Sequence, residues 1–298
     1  MKVVRLVTLA LLGAIACGKK ADSAAPAPSA SVAATGFRGG APCQGSTMEC
    51  GQFETPEAAF RAVLEDRPLV LSIGEAHAQK GATVPSSAKR TTEILLPELK
   101  GKAGDLLVEL MNPPQGCNKA TAEVKEKQKV VTQKQAETDQ NEYVQMGDAA
   151  RKLGIVPDLL RPTCDDLFAI NDAGADAIDL SLRTIERLTL TKVEQLRDRD
   201  KQSPTDAEKM VVTYGGAIHN DLAPPPERAA WSFGPALSGY VQGRYVALDV
   251  YVPEFIEDTD AWKKLEWYGQ YDKARLGGKV TLFHPGPQSF VMIFALTR

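Results

Sequence analysis

LVLSIGEAH, residues 69–77, decides the fold. Residues 69–73 are a short apolar run closed by Gly74, the pattern of a strand buried on both faces. Glu75 and His77 follow at once. Two later stretches repeat the design. DLLVEL, residues 105–110, carries Glu109 near the end of an apolar strand that Pro113 and Pro114 stop. MVVTYGGAIH, residues 210–219, runs from a fourth apolar strand through Gly215 and Gly216 to His219. A third, short strand is predicted over 154–160.

Helical patterns separate these strands. Over 55–66, Thr55 caps, Pro56 takes the first turn, and Ala59, Phe60, Val63 and Leu64 form the apolar face. Residues 88–99 place Ile94 and Leu95 inward. Residues 118–153 are polar and mostly helical, one long helix or two with a narrow buried stripe. Residues 176–199 carry Ile178, Leu182, Ile185 and Leu188 at helical spacing, and Ser203-Pro204 with Glu208 predicts a further short helix. The pattern then changes to strands joined by loops at 240–252, 280–284 and 289–296. The expectation is a mixed α/β fold, a mainly parallel sheet flanked by helices, with an antiparallel C-terminal extension.

In open α/β sheets the carboxyl ends of parallel strands share a crevice where ligands bind. That rule brings Glu75, His77, Glu109 and His219 together, although they lie far apart in sequence. Glu75 and His77, two apart, point to one side if the chain stays extended. The glycines before each histidine allow a sharp exit and close approach of a ligand. The set permits two chemistries. Both histidines and one or both glutamates could bind a divalent metal such as manganese or zinc, which acidifies a bound water. Without metal, a histidine acts as base on water while a glutamate fixes its tautomer. Either route hydrolyses an ester- or amide-like bond. A lone histidine after a strand is otherwise an ordinary hydrogen-bonded loop residue. Glu109 is harder to set aside, because a carboxylate ending a core strand needs a partner. The third histidine, His284 in FHPGPQ, reads as a turn residue outside the site. RDRD, residues 197–200, is either a solvated helix end or a place where an arginine faces the crevice and binds an anionic substrate group.

The N-terminus reads as export machinery. Lys2 and Arg5 precede an apolar run over 6–15, too short for a permanent span, and small residues lead to Ala16 and Cys17. This resembles a bacterial lipobox, with Ala14 where a branched residue is usual. It implies cleavage after residue 16 and a diacylglycerol on Cys17, so the partner is a lipid bilayer reached through that lipid. Residues 17–42, rich in Ala, Ser, Pro and Gly, are a flexible tether, and 43–298 form a single domain. Loss of Lys2 and Arg5 takes the 35 basic residues to 33 against 38 acidic ones, a net charge of −5. That acidic surface argues against a nucleic-acid partner. The expected place is the cell envelope, at the outer membrane. Cys43, Cys50, Cys117 and Cys164 then make two disulfides, with Cys43–Cys50 and Cys117–Cys164 the favoured pairing; zinc is the alternative for these thiols.

The order IGEAH (73–77), LLVELM (106–111), RDRD (197–200) and YGGAIH (214–219) resembles the superfamily of ChaN-like haem-binding lipoproteins, TraB and Tiki proteins, and erythromycin esterase-like proteins. It spans roughly residues 68–220. The resemblance implies that Glu75, His77, Glu109 and His219 are site residues, with Arg199 and Asp200 a looser match in a substrate-binding role. AIHNDLAPPPE, after the fourth strand, departs from the pattern. The family's activities differ: metal-dependent peptide cleavage, ester hydrolysis and haem binding. Three expectations follow. They are an envelope hydrolase of a small molecule or peptide, a non-catalytic protein that binds haem or metal, and an inactive scaffold. No C-x-x-C-H motif is present, so any haem would be held non-covalently.

Overall fold

The computed structural model describes residues 37–136 and 139–297. The export signal, Cys17 and the tether as far as residue 36 lie outside the described residues; the end of the expected tether belongs to the fold instead, with Phe37 packed on the core and Ala41 and Pro42 paired to the sheet. Among those described, no helix is long and apolar enough to cross a membrane.

One nine-stranded sheet organises the chain. Its strands are β1 (Ala41–Pro42), β2 (Glu49–Phe53), β3 (Val70–Glu75), β4 (Ala103–Met111), β5 (Val156–Leu160), β6 (Met210–Gly216), β7 (Tyr245–Tyr251), β8 (Val280–Gly286) and β9 (Ser289–Ile293). The order across the sheet is β5-β4-β6-β3-β7-β9-β8-β2-β1. From β5 to β9 every neighbour is parallel. β8, β2 and β1 add antiparallel pairings at one end. This is the mixed α/β class that the sequence predicts. β3 lies at the centre, buried along its whole length, which explains why its sequence is apolar rather than alternating. The edge strands β1 and β5 each contain a proline, Pro42 and Pro157.

Helices cover both faces. α1 (Pro56–Leu64) starts as predicted, with the Thr55 hydroxyl accepting from the Ala58 amide. α2 (Ser87–Arg90) continues as a wide π turn over Thr91–Leu95 and a tight 3-10 turn over Leu96–Leu99; Pro97 inside it cannot donate a regular helical bond. The polar stretch resolves into two helices, α3 (Asn118–Thr132) and α4 (Asp139–Lys152). α5 (Cys164–Asp172), α6 (Ala177–Lys201) and α7 (Gly234–Tyr240) complete the set that frames the site. α1, the 87–99 segment and α4 pack on one face against Leu71, Ile73, Leu106, Val108, Val212, Tyr214, Leu248 and Val250. α6 and α7 pack on the other, against Val70, Leu107, Val211, Tyr245 and Ala247.

Both favoured disulfides are present, Cys43–Cys50 and Cys117–Cys164, so the thiols are not zinc ligands. The second bridge joins the segments that leave β4 and β5, which are adjacent and parallel. Bridges of this kind belong to a chain that folds in an oxidising compartment.

Three local expectations are corrected. Residues after Ser203 form turns rather than a helix. The buried Arg197 guanidinium donates to the Ala207 and Lys209 carbonyls, which holds them in a turn. Tyr240 closes α7 instead of opening a strand, and positive φ at Gln242 and Gly243 turns the chain into β7. β7 itself is parallel to both β3 and β9, so the antiparallel part is confined to β8, β2 and β1. A strand that follows a helical crossover returns in the same direction, so β7 does not share the antiparallel direction expected of the C-terminal strands.

Candidate functional site

The carboxyl ends of β3, β4, β6 and β7 open into a groove of about 1160 Å³. Glu75, His77, Glu109 and His219 all line it. The groove is too long for these four alone. One arm is walled by apolar side chains such as Met111, Ile178 and Leu182, and the other runs over β7 past Asp249 to Trp262.

Glu75 ends β3 and turns into the α4 face of the sheet, where it is 3% exposed. Both carboxylate oxygens are engaged. Oε1 accepts from the Tyr143 hydroxyl at 2.7 Å and pairs with His77 Nδ1 at 2.9 Å; Oε2 accepts from the Tyr214 hydroxyl at 2.5 Å. Tyr143 comes from α4 and Tyr214 from β6, and their rings meet edge to face at 5.4 Å. Burial first, and then the charge of Glu75, push both phenols well above their usual range, so both remain donors. The carboxylate thus fixes the His77 ring with Nδ1 turned inward.

Glu109 leaves the opposite face of the sheet and leans over β6. Its Oε2 accepts from the Gly216 amide at 2.7 Å. Gly215 makes room for it: a Cβ at that position would fall 2.7 Å from Glu109 Cβ and on top of Oε2. Gly216 bounds the centre of the site. A Cβ there would lie 3.6 Å from His77 Nε2, 3.8 Å from Glu109 Oε2 and 3.8 Å from His219 Cδ2. Three polar side chains therefore surround one small space, which only a residue without a side chain leaves open.

His219 is 2% exposed. Its Nδ1 lies 2.7 Å from the Trp231 carbonyl, which can only accept, so Nδ1 carries the hydrogen. In the neutral ring the lone pair then sits on Nε2, 3.8 Å from Glu109 Oε1. The next residue, Asn220, donates to Asp249 Oδ1 at 3.0 Å.

Arg199 and Asp200 are not brought to the groove. α6 runs against the strand direction: Ile178 and Leu182 near its start line the groove, and its last turn reaches the amino ends of the strands. At ~1.5 Å per residue the two ends lie more than 30 Å apart. There Arg199 bonds to Asp105 and Asp200, both buried, and these two carboxylates raise its pKa. Arg197, itself 1% exposed, shares Asp200. RDRD is a structural ion cluster that pins α6 to β4. His284 also stays outside the groove; its Nδ1 meets Glu49 on β2, and its ring stacks on Phe290.

The donor set does not form a preassembled metal cage. Among the described residues, no group of three or more His, Cys, Asp or Glu side chains is placed to hold a metal ion. Glu75 in particular spends both oxygens on tyrosine and histidine partners.

No family model and no curated protein matches the chain. A crystal structure of a Bacillus cereus protein aligns with 80% of this chain and 92% of its own, at 9% identity and a TM-score of 0.35. A likeness of that strength bears on neither fold nor function.

Sequence reasoning missed Tyr143, Asn220 and Asp249 as parts of the groove, and Tyr214 as the buried donor that holds Glu75. Asp249 had a usable signal, an acid within the apolar strand YVALDVY, the same argument that singles out Glu109. Tyr143 had none, because it sits in a helix that is polar almost throughout.

Proposed function

We propose that the groove hydrolyses an ester or peptide bond in the cell envelope, with a histidine-activated water. The observation that carries this is the treatment of the two imidazoles. Each has its Nδ1 tied down, His77 by Glu75 and His219 by the Trp231 carbonyl. This arrangement makes Nε2 of His219 the basic nitrogen, aimed at the space beside Gly216 and Glu109. His219 Nε2 takes a proton from a water lodged there, and Glu109 at 3.8 Å stabilises the imidazolium that forms. The Glu75–His77 pair, braced by two tyrosines, supplies a second oriented imidazole on the other side of the same space. The apolar arm takes the acyl or side-chain part of a small molecule or peptide. The place is an oxidising compartment, with the chain held at a membrane by a lipid on Cys17. Membership of the ChaN, Tiki and erythromycin esterase-like superfamily is part of this proposal.

Purified protein and its His77→Ala and His219→Ala variants should be assayed on ester and peptide panels, with and without Mn²⁺ or Zn²⁺. Loss of 10²–10⁴-fold in kcat/KM is expected for His219→Ala. Rates unchanged in both variants reject the reading.

The groove's volume and its paired histidines also suit a non-covalent haem. Hemin titration distinguishes this second reading: a Soret shift lost in His77→Ala or His219→Ala supports it, and a flat titration removes it.

A further inference from the structure

Four neighbouring strands carry a mirrored arrangement at the floor of the groove. In the order β4, β6, β3, β7, the residues at one level are Glu109, Gly215, Gly74 and Asp249, with Gly74 the register partner of both Gly215 and Asp249. Side chains at this level point to one face. Glu109 leans in over Gly215. Asp249 leans in over Gly74: a Cβ there would lie 2.7 Å from Asp249 Oδ1, and equally 2.7 Å from Asn220 Nδ2 and from Ala217 Cα in the turn after β6. Two inner strands thus give up their side chains: Glu109 takes the room over Gly215, and Asp249 shares the room over Gly74 with the turn that carries His219 and Asn220. With strands ~4.8 Å apart, the two carboxyls come within roughly 10 Å of each other. Both line the same groove.

We infer that Asp249 is a catalytic residue of this groove, the acid that protonates the leaving group while His219 and Glu109 act on water. The inference rests on the hydrolase reading above and extends it. His219 Nε2 takes one proton from water as the oxygen bonds to the carbonyl carbon. The bond from that carbon to the leaving oxygen or nitrogen then breaks, and the leaving atom takes the proton of the Asp249 carboxyl. Water's OH ends on the acyl product and a proton on the leaving group. The proton on His219 returns through solvent to Asp249.

The surroundings suit an acid that keeps its proton. The carboxyl is enclosed by protein, open only along the groove wall, and this desolvation raises its pKa to about 7. The Asn220 amide at 3.0 Å and the Tyr251 hydroxyl at 3.0 Å restrain the rise. Asp221, beyond the β6 turn, adds to it, and Arg228 offsets it. Tyr245 and Tyr251 are the other ionisable neighbours on β7, both with pKa raised by burial, and Lys264 lines the groove nearby. Asn220 follows His219 directly in the chain, so one turn positions both the base and the hydrogen-bond partner of the acid.

A leaving group that needs a proton separates this role from a structural one. The full-length protein, Asp249→Asn and His219→Ala are compared on a 4-nitrophenyl ester and on the ethyl ester of the same acyl chain. Asp249→Asn should lose 10²–10⁴-fold in kcat/KM on the ethyl ester and no more than about threefold on the nitrophenyl ester, whose leaving group departs without a proton. The wild-type kcat on the ethyl ester should fall as pH rises through about 7, and Asp249→Asn should lack that fall. Equal losses on both esters, or none, overturn the inference while His219→Ala still tests the hydrolase reading by itself. A wild-type protein that cleaves neither ester, nor any peptide, removes both. Should Asp249→Asn fail to fold, Tyr251→Phe decides. It keeps the carboxyl but loses a donor to it, so the falling limb must move to higher pH; an unmoved limb overturns the inference.

Discussion

Gly215 exists to admit Glu109. A side chain on this β6 residue would collide with the carboxylate that spans the strand, whereas the neighbouring Gly216 has open space bounded at 3.6–3.8 Å by three polar groups. The two glycines therefore answer differently to the same substitution. Gly215→Ala should displace Glu109, breaking its bond to the Gly216 amide, and cost about 1–3 kcal/mol of stability by overpacking along with activity. Gly216→Ala should unfold within a few degrees of the parent and still lose hydrolysis, because the methyl group fills the space for water. Thermal melts alongside rates read both outcomes.

The ion cluster at the far end of α6 should matter for folding and not for substrate. Arg199→Ala leaves Asp105 buried with no cation beside it. Because the guanidinium is itself half exposed, the expected loss is about 1–2 kcal/mol, with KM unchanged for whatever the groove cleaves. A raised KM at unaltered stability would return Arg199 to the site.

The two disulfides should contribute unequally. Chain entropy predicts about 4 kcal/mol for Cys117–Cys164 and about 2.5 kcal/mol for Cys43–Cys50, since they are separated by 47 and 7 residues. Urea unfolding of the two double-Ser variants tests the order.

Asp249 also sets a pH dependence of stability. Its folded pKa, about 7, lies above the ordinary carboxyl value. Between pH ~4 and ~7 the unfolded chain releases this proton while the folded chain holds it, so the folded state loses stability across that window. Above pH 7 the cost is complete. Asp249→Asn has no such cost and should gain on the parent as pH rises, by on the order of 2–4 kcal/mol between pH 4 and 8. Denaturant midpoints at the two pH values measure it; a constant difference between the proteins would contradict the assignment.

Much of this architecture is legible in residues 69–219, because a buried parallel strand leaves a plain signature and its carboxyl end has a fixed meaning. Glu109 and His219 were visible for that reason, and Cys117 and Cys164 because each follows such a strand. Arg199 was misplaced because a motif's order in the chain does not say which end of a 25-residue helix faces the ligand. Tyr143 could not be found at all: its role arises from the packing of α4 over Glu75, and nothing in its own neighbourhood marks it. The direction of β7 is not legible in the sequence because a helical return and a hairpin leave similar apolar runs, and only the chain between them, here ending in α7, distinguishes the two.

The prolines in β1 and β5 have a consequence beyond this molecule. An open sheet offers two raw borders to any neighbouring chain, and crowding multiplies the encounters. Pro42 and Pro157 each remove an amide hydrogen from the outermost rows, so an approaching strand finds an interrupted ladder on either flank. High local concentration should therefore leave the protein dispersed rather than growing into fibrils.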